Sequence, residues 1–599
     1  MAKACIRGFI ALSVAVSLIA QTNPTYRVSV SKPATFTSPH WAKQPGESQS
    51  AVVPPNVNSA CPGGAILVTN DFLPPMYPNA GPFDSSGKRA PWSHPPPPHG
   101  DTFQKYPYQG TVVYADFIDG LPGSQHASTF NEPADWQHLL GLTNDHDLIA
   151  TKEGLVYYLT GAGYDGNASR TPPWFVKNNS DKTRETNRTT FGPNTRSVLV
   201  TWLSDDCGKS FQYLSMFDPV SAGNGTCANP QFRNDANQNP IVKPPWDMGG
   251  SDGQTATLDY DTSDLYLTFQ CVGYNLNNDG TPDVQRPLNS TDVAILRKGS
   301  KSFEFLGQPD VSGWRMYTRF TGNKLVLASY FGEKATVMTL GNPLPPITVQ
   351  VPAGATAPGW NGFNKTNSCF GANFNGPSIL TRAGNKNQLA MAYASITKAA
   401  SSQLYSYSLY YLNASNNPIL QWIKAATIDP VEPSQGIVLH LTAIDGGRGA
   451  TLLYWYDLNF VNINVIMAKI RGRILYDATS HSDDFDISDS FNVCSAWYGD
   501  YNTAGGYSGP ASGNQMATQY FYPIWIQPGG GVHFARVTLS PPGANNPGGS
   551  VEHQMSLKRQ TLAPPKPGVS VDLRTLPPVR EVENDRSDGL SNSAKKVLH

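Results

Sequence analysis

From residue 111 to 540, short runs of β-branched and aromatic residues alternate with clusters of Gly, Asn, Asp and Pro. GTVVYADF, GLVYYLTG, SVLVTWLS, DLYLTFQCV, KLVLASYF, QLAMAYASI, TLLYWYDL and GVHFARVTL are of this kind. Their length and the turn residues bounding them predict strands rather than helices. A loose unit recurs: a small or acidic turn and an Asp lead into a strand, then a second turn and a second strand. It is present at 145–161, 250–270, 376–395, 436–457 and 513–537, with uneven spacing and long insertions. Repeated antiparallel units without helical periodicity predict an all-β fold, a β-propeller whose blades stack radially. A β-sandwich of two packed sheets is the competing arrangement.

The flanks read differently. Residues 21–110 are rich in Pro and Ser and include HPPPPHG at 94–100, which predicts an extended lead-in with little regular structure. Residues 541–599 are polar and Pro-rich and end in REVENDRSDGLSNSAKKVLH, which predicts a disordered tail. At the other end, GFIALSVAVSLIA at 8–20 follows Lys3 and Arg7. A charged start, a short apolar core and small residues at the end read as a secretory signal peptide over 1–20. The run is shorter than the ~20 residues of a membrane span, though an uncleaved anchor is the alternative. The expected location is extracellular, or periplasmic or cell-surface in a bacterium.

Charge narrows the partners. The 599 residues carry 44 Lys plus Arg against 45 Asp plus Glu, so nothing electrostatic points to nucleic acid or to an anionic membrane. With Cys5 in the leader, Cys61, Cys207, Cys227, Cys271, Cys369 and Cys494 remain, enough for up to three disulfides. Cys207 with Cys227 is the first pair expected, because it closes a short loop. No CxxC or Cys/His spacing suggests zinc. Sequons at Asn167, Asn178, Asn187, Asn224, Asn289, Asn364 and Asn413 are glycosylation acceptors only in a eukaryotic secretory pathway.

Within LSDDCGKSFQYL, directly after SVLVTW, Ser204, Asp206, Gly208 and Phe211 fit the pattern S/T-x-D-x-G-x-x-W/F. Such a turn lets Ser and Asp bond turn amides, lets Gly relieve a tight backbone and lets the aromatic pack beneath a hairpin. On this motif, the weak repeats and the closing stretch CSAWYGDYNTAGGY with YFYPIWIQPGGGVHFARVTL, residues 110–540 resemble the sialidase superfamily of BNR (Asp-box) repeats. The resemblance implies a secreted six-bladed propeller, with the Asp box joining outer strands away from the catalytic face. It implies a scaffold role for Asp206 and carbohydrate as the partner of a monomer, with no cofactor required.

A sialidase-type site holds a sugar carboxylate with three arginines, attacks with a Tyr activated by a Glu, and uses an Asp as acid/base. The F/Y-R-I/L-P motif of the first arginine is missing; Lys88-Arg89-Ala90-Pro91 lacks its aromatic and large aliphatic residues. Arg315, Arg382 and Arg448 are the arginines that can converge from separate blades, against the alternative of solvated rim positions. Asp500 and Tyr501 are the candidate acid and nucleophile. Trp497 and Tyr498 beside them can stack on a sugar ring, against the alternative of a blade-closing turn. Asp145 and Asp147, flanking His146, can project from an inner strand or cap a turn. Whether such a propeller cleaves or only binds stays open, and a protein-binding face is a third possibility.

Asn275, Asn277, Asp279 and Asp283 space oxygen ligands like a calcium loop, with Gly280 at the sharp turn. Asn stands at the first ligand position, and Arg286 stands where an EF-hand has its Glu. A structural Ca2+ and a plain Asn/Gly surface loop are both open. No G-x-S-x-G elbow, HExxH helix or nucleotide-binding glycine loop is present.

Overall fold

The strand Thr195–Ser204 shows why the apolar runs lack a polar face. Val198, Val200 and Trp202 enter one buried cluster and Leu199 enters another. Its neighbour Val156–Asp165 divides the same way, with Val156 and Tyr158 to one side and Tyr157 and Leu159 to the other. A sheet covered on both faces needs apolar residues at odd and even positions alike.

The protein is seen in a computed structural model describing residues 26–38, 48–69, 112–131, 139–165, 195–218, 255–259, 262–276 and 282–307. It further describes strand segments within 316–350, 378–428 and 436–445, and residues 450–462, 465–476, 480–493, 504–509, 517–528, 531–541, 551–554 and 558–559. Among these residues every regular element is a strand. Seven stretches of chain form successive antiparallel sheets, numbered I to VII: 49–127, 129–217, 255–307, 316–350, 378–428, 436–492 and 506–540. Sheets I, III, IV and V are four-stranded, with strands in chain order. In sheet II the strand Thr129–Phe130 adds itself in parallel to the outermost strand, Ser210–Phe217. Sheet VII consists of two short ladders.

The sheets stack face to face. One cluster joins Val53, Leu67 and Val112 of sheet I to Tyr158, Trp202 and Phe211 of sheet II. A second joins Leu159 and Leu199 of sheet II to Leu258, Leu267 and Leu296 of sheet III. A third joins Tyr454, Tyr456 and Ile470 of sheet VI to Phe521, Trp525 and Val537 of sheet VII. The fourth joins Tyr522, Ile524 and Phe534 of sheet VII back to Val52, Ile66 and Val113 of sheet I. Sheets I, II and VII are thus buried on both faces, for which a two-layer sandwich has no place.

The first strands repeat this order. Gln49–Val53, Leu139–Ala150, Thr255–Leu258, Met316–Thr321, Ser378–Arg382, Gly436–Asp445 and Gly506–Ser508 touch in sequence, and the last touches the first. Among the described residues this circuit has seven members, where the resemblance implies six.

The ends of the chain join this circuit. Four strands, Arg27–Val30, Ala34–Phe36, Gln49–Val53 and Ala65–Thr69, lie where the composition predicts a lead-in with little regular structure. Val28, Phe36, Val53 and Ile66 are fully buried there. Arg27–Val30 pairs with Val537–Ser540, and Ala34–Phe36 pairs with Val532–Phe534, so sheet VII is completed by the start of the chain. Part of the expected tail is ordered as well: Val551–Gln554 pairs with Arg27–Val30, and Lys558–Arg559 pairs with Ser480–His481. Pro and Ser content masked these strands because each is short and pairs with residues far away in sequence.

Sheets VII and I are also latched at a hairpin. Asp119 and Gly120 have φ of 52° and 72°, which suits a two-residue turn with both central residues left-handed. The Asp119 carbonyl accepts from Arg536 Nη1 at 2.7 Å and the Gly120 carbonyl from the Tyr522 hydroxyl at 2.8 Å.

Candidate functional site

Polar side chains on the first strands are engaged between neighbouring sheets. Gln49, almost wholly buried, donates through Nε2 to the His146 carbonyl and accepts at Oε1 from the Leu148 amide at 3.0 Å. Its amide thereby bridges the first strands of sheets I and II as a peptide group would. Asp147 Oδ2 accepts from the Ala256 amide of sheet III at 2.9 Å. Ser50 Oγ accepts from the Gly505 amide, at the entry to sheet VII, at 3.3 Å. These bonds satisfy strand-edge amides that no ladder reaches. Asp147 therefore sits inside a strand, 4% exposed, and bonds the next sheet; it does not cap a turn. His146 beside it is equally buried, with its ring 5.9 Å from that of Tyr158. Asp145 belongs to the same strand.

The turn at 204–211 is closed by its own side chains. It connects Thr195–Ser204 to Ser210–Phe217, the third and fourth strands of the sheet II meander. Ser204 Oγ donates to Asp206 Oδ1 at 2.8 Å and accepts from the Gly208 amide at 2.8 Å. Asp206 accepts from the Ser210 amide at 2.8 Å and from the Ser210 hydroxyl at 2.6 Å. Burial works against the Asp206 charge, but the bonds from Ser210 and Ser204 outweigh it and hold the carboxyl below its usual range. Phe211 is fully buried and stacks on Phe130 with centroids 4.7 Å apart.

The disulfide differs from the expected one. Cys207 is bonded to Cys61 of sheet I, with Cα atoms 6.2 Å apart, and not to Cys227, which lies outside the described residues. The backbone decides this. Cys207 and Gly208 have φ of 65° and 83°, and the turn is pressed against the preceding sheet. A Cβ on Gly208 would stand 1.9 Å from Leu67 Cδ2. Around the bond, Asn58 Nδ2 donates to the Asp205 carbonyl at 2.7 Å and Lys209 Nζ to the Ala60 carbonyl at 2.7 Å. The turn is thus a joint between sheets I and II. No local signal points Cys61 to Cys207 or marks Asn58, so sequence reasoning missed this pairing and Asn58 altogether.

A parallel joint links sheets II and III. Glu153 accepts from the Ser263 hydroxyl at 2.6 Å and from Lys298 Nζ at 2.9 Å. Burial raises its pKa, but these two bonds and its own backbone amide prevail and bring it down to about 2.

The remaining sequence candidates are placed only in part. Arg382 ends the strand Ser378–Arg382, the first of sheet V. Asn275 and Asp283 are register partners in the sheet III hairpin, which brings the two ends of the calcium-like segment together. Arg315, Arg448, Trp497, Tyr498, Asp500, Tyr501, Asn277 and Asp279 lie outside the described residues. Among the described residues, no group of three or more His, Cys, Asp or Glu could hold a metal ion. No helix among them is long and apolar enough to cross a membrane, and the disulfide is compatible with an extracellular protein.

No known protein-family model matches the sequence, and no curated protein matches it. Solved structures give distant likenesses. The α-L-arabinanase of Penicillium chrysogenum, solved with arabinobiose, is 11% identical with a TM-score of 0.28 over 67% of this chain and 93% of its own. The acylaminoacyl peptidase of Pyrococcus horikoshii is 8% identical with a TM-score of 0.29, over 81% of this chain and 59% of its own. The subtype N11 neuraminidase-like protein of A/flat-faced bat/Peru/033/2010 (H18N11) is 10% identical with a TM-score of 0.20, over 54% of this chain and 93% of its own. Scores this low carry no argument about this chain.

Proposed function

We propose that this chain is a seven-bladed β-propeller of the sialidase-like, Asp-box kind that engages carbohydrate outside the cell. The observation that carries this reading is the 204–211 turn, whose Ser204, Asp206, Gly208 and Phe211 each take the part that the motif assigns them. The circuit of first strands supports the propeller, since seven stacked sheets in a ring leave one central mouth. In this reading Trp497 and Tyr498 stack on a sugar ring and Asp500 accepts its hydroxyls. Arg315, Arg382 and Arg448 hold a carboxylate, and Tyr501 is the nucleophile if the protein hydrolyses its ligand. A structural Ca2+ at Asn275, Asn277, Asp279 and Asp283 is part of the same proposal, supported by the register of Asn275 with Asp283.

One observation favours a second reading, a propeller that binds glycan or protein without cleaving. Asp147, an acid expected near the mouth, is taken up in bonding the Ala256 amide. Turnover of fluorogenic sialosides, with other glycosides as controls and glycan-array retention in parallel, separates the two. Hydrolysis lost in Arg315→Ala or Tyr501→Phe identifies a divergent exo-glycosidase. Retention without turnover identifies a binding propeller. Neither turnover nor retention on any glycan overturns the carbohydrate reading.

A further inference from the structure

The ring closes at strands whose partners come from opposite ends of the chain, and one of those strands carries a histidine. His533 stands opposite Thr35 in the ladder between Val532–Phe534 and Ala34–Phe36, and its Nδ1 lies 3.0 Å from the Thr35 hydroxyl. On its other side it pairs with Trp525, whose ring stacks at 6.0 Å. The adjacent Val532 and Phe534 point to the opposite face, into the cluster shared with sheet I.

Among the described residues, the strands packed against His533 bring no counter-charge. Ala34, Thr35 and Phe36 bring no titratable group, and neither do Ile524, Trp525 and Ile526. Behind Trp525, sheet VI presents Tyr454 and Tyr456, of which Tyr456 bonds the Ile526 backbone. Burial pushes the Tyr454 hydroxyl up, so it stays neutral in acid. Arg536 serves the opposite face, near Tyr507 and Tyr522. Among the described residues, an imidazolium here would meet a hydroxyl and aromatic rings, with no carboxylate to stabilise it.

We propose that protonation of His533 opens the seam between Ala34–Phe36 and Val532–Phe534, making closure of the ring an acid-responsive device. The inference does not depend on the ligand of the central mouth. Burial alone depresses the His533 pKa from 6.5 to about 4. The unfolded or opened seam therefore binds the proton more readily than the closed one. Stability contributed by the neutral ring is complete above pH 6.5 and is lost as pH falls toward 4. Carboxylates held low, such as Glu153, lose theirs only below their ordinary range near 4.5, so the two windows separate.

The test is hydrogen exchange on the full chain, read as protection factors at pH 7 and pH 5. Residues 27–36 and 532–540 should lose protection on the order of tenfold at pH 5, after discounting the partial exposure of the ring. The strand Thr451–Asn462 should keep its protection. His533→Gln, which keeps a hydrogen-bonding side chain and cannot charge, should remove the difference. Thr35→Asp, which supplies the missing acid, should shrink it, and this variant serves if His533→Gln does not fold. Unchanged protection of 27–36 at pH 5 overturns the proposal, as does an equal loss in either variant.

Discussion

At the scale of single residues, Asp206 and Gly208 do different work in one turn. Asp206 exchanges water for the amide and hydroxyl of Ser210, two bonds to an ionised acceptor in a half-buried place. Asp206→Ala should cost about 1–3 kcal/mol, read from chemical denaturation against the parent. Gly208 is there for space and backbone. Its φ is positive and a side chain would run into Leu67, so Gly208→Ala should cost about 3 kcal/mol or more by the same measurement. The hydrogen bonds inside this turn were legible in the sequence because Ser204, Asp206, Gly208 and Ser210 lie within seven positions of one another, whereas its partners Cys61, Leu67 and Phe130 were not. Nor was Gln49, since a lone glutamine before SAVV looks like any surface polar residue. Only its side-chain bonds to the Leu148 amide and the His146 carbonyl show that it stands in for a missing strand partner.

At the scale of elements, local pattern specified strands well and their partners poorly. The runs LVYYLT, SVLVTW and LYLTF all became strands, since dense β-branched and aromatic residues between turn formers leave few alternatives. The lead-in strands escaped because Pro and Ser around them dominate the composition. The disulfide escaped for a related reason. Chain proximity favoured Cys227, whereas Cys61 lies 146 residues away and meets Cys207 only after sheets I and II have stacked. That bond ties two sheets at their turns, and Asn58 and Lys209 reinforce the same joint. Removing it as Cys61→Ser with Cys207→Ser should lower stability by about 2–4 kcal/mol in thermal or chemical unfolding. Protease cleavage should then appear first in 54–64, the loop that loses its tether. If the double variant melts with the parent, the bond contributes nothing beyond the packing around it.

At the scale of the whole molecule, the fold depends on a join between its two ends. Val28 and Phe36 are fully buried, and together they bring about 3–6 kcal/mol of apolar burial to sheet VII. Deleting residues 26–38 should lower the melting temperature and raise binding of a hydrophobic dye. Adding a peptide of that sequence should restore both. A deletion that melts like the parent would mean that the ring holds without its first strands. The join also sets a clock. Thr35 and His533 are separated by 498 positions, and a ribosome adds about 5–20 residues per second. The strand Ala34–Phe36 therefore waits tens of seconds for its mate, with an unpaired edge available to any passing chain. A chain broken off before residue 532 has no such mate, so the seam distinguishes finished copies from aborted ones.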